Sequence, residues 1–185
     1  MNCYVLVGGR STRMGAPKSH LFLDRILAAA RPAFDEVIAV DRYGGEALEN
    51  VPTIFENEHE DEAPIFGVRR AIEHANAKCF VLAVDYPLIT TAFLTRLVQR
   101  FAKSPKPMLV PHAGGHPHVL CAGYSHTLLR EIDACIARRQ YDLRSLADAA
   151  EIVDCAGADE LLNVNTPEER VEAERLYEQR LLTSR

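Results

Sequence analysis

The chain has no tryptophan, only three methionines, and no pair of cysteines in a CxxC arrangement. Its five cysteines (Cys3, Cys79, Cys121, Cys135, Cys155) are scattered, and Cys3, Cys79 and Cys121 sit in or beside apolar runs that read as strands. This argues against a thiolate zinc cage or a disulfide framework and for buried, reduced thiols. No apolar stretch is long enough to cross a bilayer, and Met1 leads straight into a strand without the basic and apolar segments of a secretory signal. A cytoplasmic protein with no membrane partner is expected. Positive charge is also in deficit: 21 basic against 26 acidic side chains give a formal charge of -5, so there is no broad surface for a nucleic-acid backbone. Any anion site must be local. At 185 residues the chain is expected to form one domain spanning 1–185.

Two common phosphate loops are missing too. GxxxxGK[ST] requires lysine directly after its second glycine, and GxGxxG requires a glycine two positions after the first. The chain instead offers Leu6-Val7-Gly8-Gly9-Arg10-Ser11-Thr12-Arg13-Met14-Gly15-Ala16-Pro17-Lys18, placed where the first apolar run ends. Adjacent glycines let backbone N–H groups approach a phosphate closely, and Arg10, Arg13 and Lys18 add three positive charges. A polyphosphate is the natural guest. Because proline disfavours a helical residue before it, Lys18 is expected on an extended arm, with helix resuming only near Asp24.

The surrounding pattern is strand, loop, helix, strand. Strands are expected at Asn2–Val7, Glu36–Val40, Val51–Phe55 and Cys79–Val84, with helices at Ile65–Ala77 and Thr91–Phe101. Such alternation predicts an α/β domain with a mostly parallel sheet and helices on both faces. After Pro107 the rhythm changes. Met108–Pro111 and His118–Tyr124, separated by a turn-rich HAGGHP, predict a hairpin and hence a mixed sheet. A helix over Ser125–Arg138, a shorter one near Leu143–Ala149, a strand at Ile152–Asp154 and a last helix from Pro167 complete the chain.

Asp85 follows the most apolar strand, at the edge expected to carry the glycine loop. A carboxylate beside triphosphate oxygens suits a magnesium ion, which takes one or two protein carboxylates and fills its other positions with phosphate and water. The last helix opens with Thr166 as cap, Pro167 in the first turn and Glu169 placed for a capping box, which fixes Asn163 and Asn165 just outside it. Two other clusters read as plain structure. His112, His116 and His118 alternate on the hairpin without a visible fourth ligand, and the acidic run Glu56–Glu62 reads as a solvated loop leading to Pro64.

Together, LVGGRSTRMGAPK, DYP and NVNTPEE resemble, in order and over essentially the whole chain, the LAGGxSxRMGxxK, DxP and NxNTPEE motifs of the MobA-type nucleotidyltransferases. The resemblance implies a Rossmann-like single domain that transfers GMP from GTP to molybdopterin, usually carrying molybdenum, with release of pyrophosphate. It further implies that Leu6, Val7, Gly8 and Gly9 contact the nucleotide, that Lys18 binds its phosphates, and that Asp85 holds Mg²⁺. Arg13 is assigned to the leaving pyrophosphate, and Asn163 and Asn165 would lie near the acceptor. Pro64-Ile65-Phe66-Gly67 is similar to the family's GPLAG segment, so Gly67 would let a helix start close to the base. Near the end of its third strand the family often has an aspartate; this chain has Asn57, which carries no charge but is expected to accept a hydrogen bond from guanine or ribose. The hairpin would border the pterin pocket, and the segment after Lys18 is shorter than the family's. Contact with molybdenum-insertion proteins or molybdoenzyme chaperones is implied as well. Gly8-Gly9 favours GTP over CTP, whose users tend to read LAAG. A CTP-dependent cytidylyltransferase, a related enzyme with another phosphorylated acceptor, and a non-catalytic nucleotide-binding adaptor are the alternatives.

Overall fold

The computed structural model describes residues 1–8, 18–59 and 61–183. Among the described residues, five helices and eight strands follow one another as β1 (Cys3–Leu6), α1 (Lys18–Ala30), β2 (Val37–Asp41), β3 (Thr53–Phe55), α2 (Pro64–Ala75), β4 (Lys78–Ala83), α3 (Thr91–Lys103), β5 (Met108–Ala113), β6 (His116–Pro117), β7 (Cys121–Ser125), α4 (Leu129–Ala137), β8 (Ala150–Asp154) and α5 (Pro167–Thr183). Short 3-10 turns at His126–Leu128, Leu143–Ala149 and Asp159–Leu161 fill in between. All the strands join one mixed sheet, as the alternation followed by a hairpin predicted.

The sheet has two halves. In the first, β3, β2, β1 and β4 lie side by side and parallel. In the second, β7 runs antiparallel to β4 and to the start of β5, β6 is antiparallel to the end of β5, and β8 is parallel to β5. The chain leaves β1 toward β2 and β3, then returns to lay β4 on the other side of β1. That reversal is a topological switch point, where open α/β sheets form their ligand crevice at the carboxyl ends of the strands.

Strand alternation sorts the core into two layers. Cys3, Val5, Ala39, Phe80 and Leu82 pack with Ile26, Leu27 and Ala30 of α1 and with Leu94, Leu97 and Phe101 of α3. Their neighbours Tyr4, Leu6, Ile38, Val40 and Val81 pack with Ile65, Val68, Ala71 and Ile72 of α2 and with Ile132 and Cys135 of α4. All five cysteines are free and buried, and burial pushes the Cys79 thiol up to about 12.

Three expectations change. Helix α1 begins at Lys18, not near Asp24, so Lys18 stands in a first helical turn and not on an extended arm. Proline restricts the residue before it and leaves the residue after it free to start a helix. The strand expected at His118–Tyr124 is broken: Cys121 N–H bonds the His118 carbonyl in a turn, leaving β6 and β7 as separate pieces. The helix expected from Ser125 opens instead as a 3-10 turn, capped by Ser125 Oγ accepting from Thr127 N–H.

Candidate functional site

The register of the parallel half determines what stands at its carboxyl edge. Leu6 pairs with Val40 on one side and Ala83 on the other, and Val40 pairs with Ile54. Those four residues form one level of the sheet. Two residues further along the chain come Gly8, Arg42, Glu56 and Asp85, just past the ends of the four strands and so at the same edge of the sheet. Gly8, Arg42, Glu56 and Asp85 line one cleft of about 390 Å³, together with Leu6, Val7, Val40, His59, Glu62, Pro64 and Leu120. The start of the glycine loop and Asp85 therefore share a single cavity.

Each wall is fixed from below. Val7 N–H continues the ladder to the Val40 carbonyl at 3.0 Å. At Gly8 a Cβ would lie 2.9 Å from the Arg42 backbone nitrogen and 3.0 Å from Asp41 Oδ1, so only glycine lets the chain pass so close to the end of β2. Behind Asp85, Tyr86 is buried and its hydroxyl donates to His118 Nδ1 at 3.3 Å, while His118 Nε2–H donates to the Ala113 carbonyl at 3.3 Å. Burial, reinforced by neighbouring His116, lowers the pKa of His118, consistent with a neutral imidazole that props the Asp85 turn. His118 thus serves packing, and among the described residues no group of three or more His, Cys, Asp or Glu is placed to hold a metal.

The Asp85 backbone carbonyl accepts from Val164 N–H at 2.9 Å, which brings Asn163 and Asn165 beside it although neither lines the cleft. Asn165 Nδ2 donates to Asn163 Oδ1 at 3.1 Å. The capping box forms as expected: Glu169 N–H donates to Thr166 Oγ1 at 3.2 Å, and Glu169 Oε2 accepts from the N–H groups of Thr166 and Asn165 at 3.0 and 2.6 Å.

The opposite wall departs from expectation. Asn57 is exposed and does not line the cleft, whereas its neighbour Glu56 does. The cause is parity. Glu56 N–H bonds the Asp41 carbonyl at 2.8 Å, extending β3 by one residue, so Glu56 keeps the face of Ile54 and Asn57 turns away. The acidic run is accordingly not a solvated loop throughout. His59 folds back to place Nε2 2.8 Å from Glu56 Oε2, its Nδ1–H donates to the Asp61 carbonyl at 2.5 Å, and its ring stacks on Phe66 with centroids 3.8 Å apart and planes at 12°. Burial raises the Glu56 carboxyl above the ordinary carboxylate range, and His59 partly opposes the rise. Gly67 lies under this wall, since a Cβ there would meet Glu56 Oε1 at 2.9 Å and Leu6 Cδ2 at 3.1 Å. Arg42, Glu56, His59 and Glu62 line the cleft without having been singled out from the sequence; for Arg42 and Glu56 the available signal was the strand register, which only a pairing reveals, and His59 is placed by its own loop. Gly9 and Arg13 lie outside the described residues, and for Lys18 only the backbone position in α1 is described.

A parallel sheet with a switch-point cleft, a close-approach glycine and a carboxylate in the turn after the neighbouring strand suits a nucleotide-handling α/β enzyme. Residues 3–154 match the family model described as the MobA-like NTP transferase domain. The chain is 31% identical over 180 residues to a probable molybdenum cofactor guanylyltransferase of Aquifex aeolicus (strain VF5), covering 90% of this chain and 87% of that protein. It is 26% identical to another so described from Bacillus cereus (strain ATCC 10987 / NRS 248), covering 92% and 94% respectively. Its fold matches the crystal structure of molybdopterin-guanine dinucleotide biosynthesis protein A from Archaeoglobus fulgidus with a TM-score of 0.81 at 22% identity, over 97% of this chain and 100% of that one. The chain belongs to the MobA-like NTP transferase family, and it is a nucleotidyltransferase. No described helix is long and apolar enough to cross a membrane.

Proposed function

We propose that the chain transfers GMP from GTP to molybdopterin, giving the guanine dinucleotide form of the molybdenum cofactor and pyrophosphate. The observation that carries this reading is the shared cleft of Gly8 and Asp85, two residues past an in-register pair of parallel strands. The names of the relatives support the choice of substrates.

In this reading a phosphate oxygen of molybdopterin attacks the α-phosphorus in line, and the bond to the leaving pyrophosphate breaks on the far side. Positioning and charge neutralisation dominate such transfers. Backbone N–H groups of the glycine loop cradle the phosphates, Lys18 and Arg13 supply positive charge, and Asn163 and Asn165, tied to the Asp85 backbone through Val164, orient the acceptor. The donor set fits magnesium: Asp85 gives a hard oxygen ligand at the rim, and triphosphate and water complete the shell. Bound there, Mg²⁺ would neutralise charge on the phosphate oxygens.

Incubating the protein with molybdopterin, Mg²⁺ and each of the four triphosphates in turn, while following pyrophosphate and dinucleotide, tests the proposal. Dinucleotide formation with GTP is expected. Product with CTP instead would reassign the base, and product only with a different phosphorylated acceptor would overturn the substrate.

A further inference from the structure

The segment that joins β3 to α2 supplies one side of the cleft through Glu56, His59, Glu62 and Ala63. The bonds from His59 to Glu56 and to the Asp61 carbonyl span only three residues and two, so they shape the segment without tying it to the rest of the molecule. Tyr141 reaches it from the far half of the chain. Its hydroxyl donates to Asp61 Oδ2 at 2.5 Å across 80 positions of sequence, and its ring lies 5.4 Å from that of Phe66, centroid to centroid, at 52°.

Both contacts lead to His59. Asp61 takes the phenol on its side chain and His59 Nδ1–H on its carbonyl, while Phe66 meets the Tyr141 ring and also stacks on the imidazole. His59 lines the cleft and Tyr141 does not. The hydrogen bond to the Asp61 carboxylate pushes the phenol above its ordinary range, so at neutral pH the hydroxyl remains a donor. Tyr141 is itself anchored on both sides. Before it, Arg139 turns the chain out of α4 in the left-handed region at φ 55°, and Gln140 N–H bonds the Cys135 carbonyl at 2.9 Å. After it, Asp142 caps the turn Leu143–Ala149 by accepting from Arg144 N–H at 3.0 Å, the Arg144 guanidinium grips both oxygens of that carboxylate, and Leu143 and Leu146 are buried. The hydroxyl is thus presented from a defined backbone, and holding Asp61 requires little further ordering.

The consequence is for binding. A wall whose competent arrangement is populated only part of the time lowers the apparent affinity by that fraction, so a bond that fixes the wall raises affinity without touching the ligand. We propose that Tyr141 is a positioning residue: through Asp61 and Phe66 it holds the segment between β3 and α2, and His59 within it, in the arrangement that receives the nucleotide. This rests on the reading that the cleft takes a nucleoside triphosphate.

The test combines calorimetric titration of GTP with Mg²⁺ and steady-state pyrophosphate release with GTP and molybdopterin. It uses wild type, Tyr141→Phe, Asp61→Ala, the double variant and Asp61→Asn, with thermal melts to establish folding. Tyr141→Phe keeps the ring and loses one hydrogen bond, so GTP should bind about three- to tenfold more weakly. The KM for GTP should rise with it, while kcat and the KM for the acceptor hold. Asp61→Ala should give the same loss and serves should Tyr141→Phe fail to fold. The double variant should be no weaker than either single one, because both remove the same bond. Asp61→Asn, whose amide oxygen can still accept from the phenol, should restore most of the affinity. Unchanged GTP affinity in folded Tyr141→Phe, an equal rise in the acceptor KM, a fall confined to kcat, or losses that multiply in the double variant would each overturn the proposal while leaving the nucleotide cleft standing. Wild type that binds no triphosphate overturns both.

Discussion

Two walls face each other across the cleft, and they are built by different means. The wall of β1 and β4 uses backbone: Gly8 is there because nothing larger fits beside Arg42, and Asp85 is held by its own carbonyl bonded to Val164. The wall of β3 and α2 uses side chains, with Glu56, His59, Asp61 and Tyr141 linked by hydrogen bonds and Phe66 behind them. A backbone wall can bind what every triphosphate shares, whereas a side-chain wall can discriminate among bases. Chemistry and choice should therefore separate under mutation.

The sharpest way to part them is Asp85→Asn. Loss of the carboxylate should lower turnover about a hundredfold or more, with the melting temperature nearly unchanged, because the Val164 bond uses the Asp85 backbone. Any preference among the triphosphates should survive. Full turnover in this variant would remove Asp85 from the mechanism.

Gly8→Ala comes next. The new methyl would lie 2.9 Å from a backbone nitrogen, a contact no rotamer relieves, so a loss of about 1–3 kcal/mol is expected in a denaturant titration. Affinity should fall for all triphosphates alike. A selective loss for GTP alone would mean that the backbone wall reads bases after all.

Thr166→Ala should cost about 1 kcal/mol by removing the cap. It loosens the turn carrying Asn163 and Asn165, so the KM for the acceptor should rise while that for the nucleotide holds; the reverse pattern in steady-state kinetics would place the two asparagines on the nucleotide.

The smallest effect belongs to His118, which lies outside both walls. Its folded-state pKa is lowered, so between that value and the ordinary imidazole value of about 6.5 the unfolded chain binds more protons. The stability it contributes is thus whole above about 6.5 and drains as pH falls through the folded value. Denaturation midpoints at pH 7.5 and 5.5 should differ more for wild type than for His118→Asn, and equal slopes would assign the acid sensitivity elsewhere.

What could be read from the sequence follows the same division. Gly8, Asp85 and the Thr166–Glu169 box are local chemistry: a glycine at a strand end, an acid after an apolar run, a cap three residues before a carboxylate. Their meaning survives without knowing what lies across the sheet. Glu56 has no such signature, because its direction depends on the parity of a three-residue strand and on the extra rung to Asp41. Counting acids in the run could not show that Glu56 and Asn57 point opposite ways, nor that His59 would turn back onto its own loop. The start of α1 was missed for a smaller reason: Phe22, Ile26 and Ala30 already repeat at helical spacing, and all three are buried. The break between β6 and β7 depends on the turn at His118, which alternation alone cannot reveal.

The bond from Val164 to Asp85 also has a meaning in time. Synthesis proceeds from the amino end, so the four parallel strands and their helices can leave the ribosome and assemble while the closing segment is still being made. Until residue 164 emerges, the carbonyl of Asp85 lacks its partner, and until α5 follows, Phe22 of α1 has no Ala173 to rest on. A nascent or prematurely stopped product would hold a sheet without the asparagine turn that bonds the Asp85 backbone.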